Sequence, residues 1–177
     1  MKYFSIFSVV FFVASCNSIT ETNPVTTAQP YIGLEEKIHR RELRELLDVD
    51  PVRTEWCAAF VNSILEVDGI PNLNDQTKYP PLMARSFLYW GEKVEPELIQ
   101  RGDVVVFPRG NSGWKGHVGF YVDTRIHNGQ EYWIILGGNQ SNEVRYDFYL
   151  PNKALGVRRY LIEQEPAGSL PKWMDKY

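Results

Sequence analysis

The chain has 177 residues, 44% hydrophobic, 14% aromatic and 23% charged, which is enough apolar material for one domain's core and excludes a disordered or collagen-like chain. Nineteen basic and 22 acidic residues give a formal net charge of -3, which argues against a surface built to grip a nucleic-acid backbone. Two cysteines cannot frame a disulfide-dense scaffold, three histidines are too few for a histidine-built metal cage, and no apolar run is long enough to span a bilayer as a helix.

The chain opens with the charge of Lys2, runs through an apolar stretch from Tyr3 to Ala14, and reaches small residues at Val13-Ala14-Ser15-Cys16. That order is the layout of a secretory signal segment. Its last four residues resemble the lipobox of bacterial lipoproteins, which implies cleavage before Cys16 and acylation of its thiol and new amino end. Several acyl chains on one residue suffice for stable anchoring. Residues 1–15 are therefore expected to be a signal peptide, and the mature protein to be exported and anchored through Cys16 to a bacterial membrane facing the cell wall. In a Gram-negative host that means the periplasmic space; Asn17 after the cysteine gives no evident inner-membrane retention signal. Residues 16–30, rich in Thr, Asn and Pro, read as a solvated tether.

The domain itself is expected over residues 31–161. Leu34, Ile38, Leu43, Leu46 and Leu47 follow helical spacing among charges, and Phe60, Val61, Ile64 and Leu65 do so between Cys57 and Asp68, where Gly69 and Pro71 stop the run. A third helix is predicted over 82–90, closing at Gly91. The period then changes. Residues 103–107, 117–123, 132–136, 144–149 and 156–161 are β-branched and aromatic, separated by Gly, Asn and Pro turns. Helices followed by consecutive strands predict an α+β fold with an antiparallel sheet. The tail over 162–177 carries two prolines and no periodicity, and is expected to be irregular.

Cys57 is the one cysteine inside the domain. With Thr54 as N-cap it would sit in the first helical turn, where free N–H groups and the helix dipole lower a thiol pKa below its ordinary value of about 8.5. Phe60 and Val61 place it on the core-facing side. In Gly116-His117-Val118-Gly119-Phe120-Tyr121-Val122, His117 shares a strand face with Gly119 and Tyr121. A glycine there suggests close approach of another element, such as a thiol-bearing helix end. His39 and His127 stand in charged and turn contexts that read as solvated. A thiol–imidazole pair needs a third group to fix the ring, and the turn Gly137-Gly138-Asn139-Gln140 offers the carboxamide of Asn139 or of Gln140.

Together with Thr54–Asn62, Ala84–Gly91 and Arg101–Phe107, these segments resemble the CHAP and NlpC/P60 group of cysteine peptidases, specifically a bacterial and phage subgroup. The resemblance runs in order from about Tyr31 to Tyr160. It implies a papain-like fold and cleavage of amide bonds in peptidoglycan, within the stem peptide or between it and the sugar. It maps the nucleophile to Cys57, the base to His117 and the polar third member to the Gly-Gly-Asn-Gln turn, of which Asn139 is the choice. NlpC/P60 enzymes commonly use a histidine there, and none suitable follows His117. Some CHAP enzymes carry a calcium loop, but Leu73-Asn74-Asp75-Gln76 is too sparse in acids for one. No metal or cofactor is expected.

The implied mechanism is attack by the Cys57 thiolate, protonation of the leaving amine by His117, and hydrolysis of the thioester, with the Cys57 N–H in the oxyanion hole. Trp56, Trp114 and Gln140 are candidate substrate-binding residues, Asp103 reads as structural, and Arg85 is expected to pair with an acid or a substrate carboxylate. The expected partner is peptidoglycan and the expected state a monomer. Two alternatives stand beside this reading: a non-catalytic lipoprotein that binds cell-wall peptides, and an acyltransferase or amidase acting on another substrate.

Overall fold

Residues 23–75 and 78–161 are described by a computed structural model. The leader, the acylation site at Cys16 and the tail over 162–177 lie outside those residues. Asn23 accepts the N–H of Val25 through its side chain, Pro24 takes the first helical position, and the short helix α1 (Pro24–Ala28) follows. Val25 and Ala28 are fully buried in the main core. The expected tether therefore does not reach residue 30: from Asn23 onward the chain is part of the domain, because two apolar side chains three apart outweigh the polar composition around them.

Helix α2 (Arg40–Leu47) is shorter than the predicted segment from Leu34. It begins at His39, whose Nδ1 accepts the Glu35 N–H at 2.9 Å, and it buries Leu43 and Leu47. Helix α3 (Cys57–Val67) matches its prediction and is buried along most of its length, since α1, α2 and the sheet enclose it. Asn62 on α3 donates to Pro81 O at 2.9 Å and accepts from Leu73 N–H at 3.0 Å, tying the helix to the segment that follows it. The third predicted helix is a 3-10 helix over Ala84–Tyr89.

The strands are β1 (Glu92–Val94), β2 (Val104–Pro108), β3 (Gly116–His127), β4 (Gln130–Gln140), β5 (Glu143–Tyr149) and β6 (Gly156–Arg159). They form one sheet in the order β1-β6-β2-β3-β4-β5, antiparallel at every pairing. The architecture is α+β, as the sequence predicts, with helices on one face of an antiparallel sheet. Strand β1 has no sequence prediction behind it: it is three residues long and two of them are exposed.

The pleat divides the apolar residues between two faces. Val104, Val106, Val118, Phe120, Leu136 and Val144 pack under α3, while Val105, Phe107, Tyr121, Trp133, Ile135 and Val157 form a second cluster on the far face. Both faces of β2 are covered, which explains its unbroken apolar run. Asp103 is structural, as read. Its carboxylate takes Arg159 bidentately (Nε–Oδ1 2.6 Å, Nη2–Oδ2 2.7 Å) and the Gln100 N–H at 2.8 Å, pinning β6 to the start of β2.

Candidate active site

Cys57 is the first residue of α3, after Trp56 at the N-cap. The expected Thr54 cap is not formed; no side chain caps this helix end, so its first N–H groups are open to other partners. The β3–β4 ladder ends at Phe120 and Leu136. Because Tyr121 N–H turns toward Asp103 beside β2, the alternation of the strand aims the Val118 N–H the other way, into the gap beyond the ladder's end. That N–H and the Ala58 N–H both favour the charged form of the Cys57 thiol. The thiol lies on the helix face of the sheet, whereas the His117 ring points to the other face of the pleat, and among the described residues no hydrogen bond joins the two.

The glycine clearance differs from expectation. A Cβ at Gly119 would stand 2.6 Å from Ile135 Cγ2 and 2.9 Å from Leu136 O, so that glycine admits β4 rather than the helix. The helix end is admitted by Gly138, where a Cβ would lie 2.4 Å from Trp56 Cζ3 and 2.7 Å from Phe60 Cβ.

His117 Nε2 lies 3.1 Å from Gln140 Oε1. The orientation of that carboxamide follows from its other end, where Gln140 Nε2 donates to the carbonyls of Ile135 and Arg145. Exchanging the two atoms would set oxygen against oxygen, so Oε1 faces the ring and the ring must donate from Nε2. Nδ1 is left with the lone pair. Tyr149 completes the arrangement: its hydroxyl donates to the same Oε1 at 3.0 Å, and its ring stacks on His117 with centroids 5.6 Å apart and planes 10° apart. Phe107 also stacks on Tyr149, with centroids 4.3 Å apart.

Asn139 does not reach the histidine. Its backbone is left-handed (φ 59°), which turns its carboxamide outward to donate to Glu55 Oε2 at 2.9 Å. The residue that holds His117 is Gln140, and since its amide is consumed by His117, Tyr149 and backbone carbonyls, it has no free group for a substrate. Trp56 is also corrected: it is fully buried, packs edge-on against Phe60 and donates its indole N–H to Glu36 at 3.3 Å, so it belongs to the core. Trp114 is 63% exposed in the loop before β3. That loop is held by Arg85, which donates to Lys115 O at 2.8 Å and Ser112 O at 3.0 Å in place of the expected acid.

The electrostatics favour neutral partners at rest. Burial is the largest influence on Cys57 and pushes its thiol above the ordinary value, outweighing the Val118 and Ala58 N–H groups and the charge of Arg109. The expected lowering by the helix terminus is therefore overruled by desolvation, with Cys57 only 3% exposed. Burial also depresses His117 to about 4, against the opposing hydrogen bond to Gln140. Tyr149 is raised by burial first, then by Asp147 and Cys57. Outside this buried set stand Arg109 and Glu55, an ion pair with 46% and 69% of their side chains exposed. Sequence reasoning singled out neither Arg109 nor Tyr149, which a Pro-Arg-Gly turn and a strand end do not mark; Glu55 stands just before Cys57, where its charge opposes ionisation of the thiol.

No protein-family model and no curated protein matches this chain. Among solved structures it is similar to an NlpC/P60 family protein from Bacillus cereus, with a TM-score of 0.45, 18% identity, and an alignment covering 79% of this chain. The chain spans 40% of that protein's length.

Proposed function

We propose that the protein is a cysteine hydrolase that cleaves amide bonds of peptidoglycan, with Cys57 as nucleophile, His117 as base and Gln140 as the residue that orients the ring. The observation that carries the reading is a buried thiol on the helix that packs against β3 and, on β3, a buried imidazole bonded to Gln140, which Tyr149 also holds. A buried thiol could be mere packing; a buried imidazole held in one tautomer on the strand that its helix packs against is a combination that nucleophilic catalysis uses.

The steps follow from the neutral resting pair. Catalysis on this reading requires the ring and the sulfur to meet past the end of the β3–β4 ladder: His117 Nδ1 then takes the Cys57 proton as the sulfur attacks the carbonyl carbon, and the oxyanion is held by open N–H groups at the start of α3. The imidazolium then gives that proton to the leaving amine as the C–N bond breaks. Water, deprotonated by Nδ1, attacks the thioester, releasing a carboxylic acid and the free thiol. The order of motifs along the chain supports peptidoglycan as the substrate class. Acylation at Cys16 would hold the enzyme against the wall and compensate for an acidic protein's lack of attraction to an anionic polymer.

Incubating purified peptidoglycan with the wild-type protein and with Cys57→Ala, and resolving the products by mass, tests this. New amine termini from the wild type alone are expected. Equal binding by both proteins without products would instead establish a binding module, the reading that the burial of the thiol favours. Turnover of another amide but not of wall material would establish a different substrate.

A further inference from the structure

The helices leave part of their own face of the sheet uncovered. There a groove of about 400 Å³ crosses β3, β4 and β5, floored by Val122, Ile134, Tyr146 and Phe148 and edged by Arg101 and Arg125. Val122 and Tyr146 pack against the main core, and Ile134 pairs with Phe148 across the β4–β5 ladder. The floor thus continues the core outward and ends open, with Phe148 59% exposed.

The chain enters the domain beside this groove. The side-chain amide of Asn23 donates to Arg101 O at 3.1 Å, and a Cβ at Gly102 would lie 3.2 Å from that amide nitrogen. Asn23 therefore sits against the turn that carries Arg101, whose guanidinium reaches Val122 O at 3.4 Å. Distances decide what the preceding residues can touch. Neighbouring strands lie about 4.8 Å apart, so β5 is about 10 Å across the groove from β3. Extended chain covers about 3.3 Å per residue, which sets Glu21 about 7 Å and Ile19 about 13 Å from Asn23. Glu21 can reach Arg101, and Ile19 can reach the Ile134–Phe148 pair.

The chemistry matches those positions. Residues 17–22 (Asn-Ser-Ile-Thr-Glu-Thr) carry one charge, the carboxylate of Glu21, and one large apolar side chain, Ile19. Asp123 pairs with Arg125 at 3.7 Å, whereas Arg101 has no carboxylate within ion-pair distance among the described residues. Its planar fork suits a carboxylate.

We propose that residues 17–22 of this chain dock in the groove, with Glu21 on Arg101 and Ile19 on Ile134 and Phe148. The docking is independent of the hydrolase reading. It makes this segment an extension of the fold instead of a tether. It also fixes where an anchor at Cys16 would attach: undocked, the seven residues from Cys16 to Asn23 allow about 25 Å of play, and docked they bring Cys16 out at the β5 edge.

Disulfide trapping tests this in the full chain carrying Cys16→Ser and Cys57→Ala, with Ile19→Cys and Phe148→Cys introduced and air oxidation followed by mass and non-reducing electrophoresis. Phe148 is a surface residue, so its replacement spares the core. A disulfide within one chain is expected. Arg101→Glu or Glu21→Arg should slow its formation about threefold, the scale of an exposed ion pair, and the two together should restore it. In the chain with no cysteine changed, a glutamate-specific protease should cut after Glu21 about threefold faster when Arg101→Glu is present. No disulfide, a rate indifferent to both charge changes, or equal cleavage would overturn the proposal. So would coupling between two chains, which makes a second copy the occupant, or faster coupling of Trp173→Cys to Phe148→Cys, which makes the tail over 162–177 the occupant.

Discussion

At the scale of single residues, burial holds the His117 ring neutral. Its pKa of about 4 in the folded protein compares with an ordinary 6.5. Between these values the unfolded chain binds a proton that the folded protein excludes, so this contribution to stability is complete above pH 6.5 and is lost as pH falls toward 4. A shift of that size corresponds to about 3 kcal/mol. Denaturant unfolding at a series of pH values should show stability falling across this window, and His117→Gln should flatten the fall. An unchanged slope in the variant would show that the ring is not buried neutral. In the hydrolase proposed above, a neutral ring would act by general-base removal of a thiol proton rather than as half of a preformed thiolate–imidazolium pair.

At the scale of elements, the turn between β4 and β5 assigns the roles of two adjacent carboxamides. Asn139, Ser141 and Asn142 all have positive φ, and the β4–β5 register shifts between Gly137 and Gln140. This irregularity sends Gln140 inward and Asn139 outward. Gln140→Ala should lower kcat about 100-fold through misplacement of the ring, with little change in KM, whereas Asn139→Gly, which suits the left-handed backbone, should lower it less than tenfold. Steady-state kinetics on a stem-peptide substrate would decide, and the reverse order would restore Asn139 as the orienting residue. The turn also shows where sequence reasoning stops. A Gly-Gly-Asn-Gln segment after a strand declares that a carboxamide lies near the histidine strand, but regular alternation cannot say which one points in when a bulge intervenes. The thiol pKa was likewise illegible: helix position is written in the sequence, whereas burial from three sides is not.

At the scale of the whole molecule, the periodicities were the legible part. Helix α3, the five longer strands and the order of helices before strands follow from residue spacing, and they place Cys57 on the helix that packs against the strand of His117. What escaped was set by tertiary contacts. Helix α1 looks like linker until Val25 and Ala28 find the core, β1 is held by pairing with β6, and the 3-10 helix over Ala84–Tyr89 replaces an α-helix where Trp90 donates to Pro71 O at 2.7 Å. The fold thus buries a thiol on α3 and an imidazole on β3, the strand that α3 packs against. A covalent acyl intermediate on that sulfur is the central consequence of the proposed hydrolysis, and hydroxylamine intercepts such a thioester before water does. With a stem-peptide substrate, the wild-type protein should form an acyl hydroxamate in proportion to added hydroxylamine, and Cys57→Ala should form none; cleavage that yields only the free acid at every hydroxylamine concentration, or that persists in Cys57→Ala, would contradict the account.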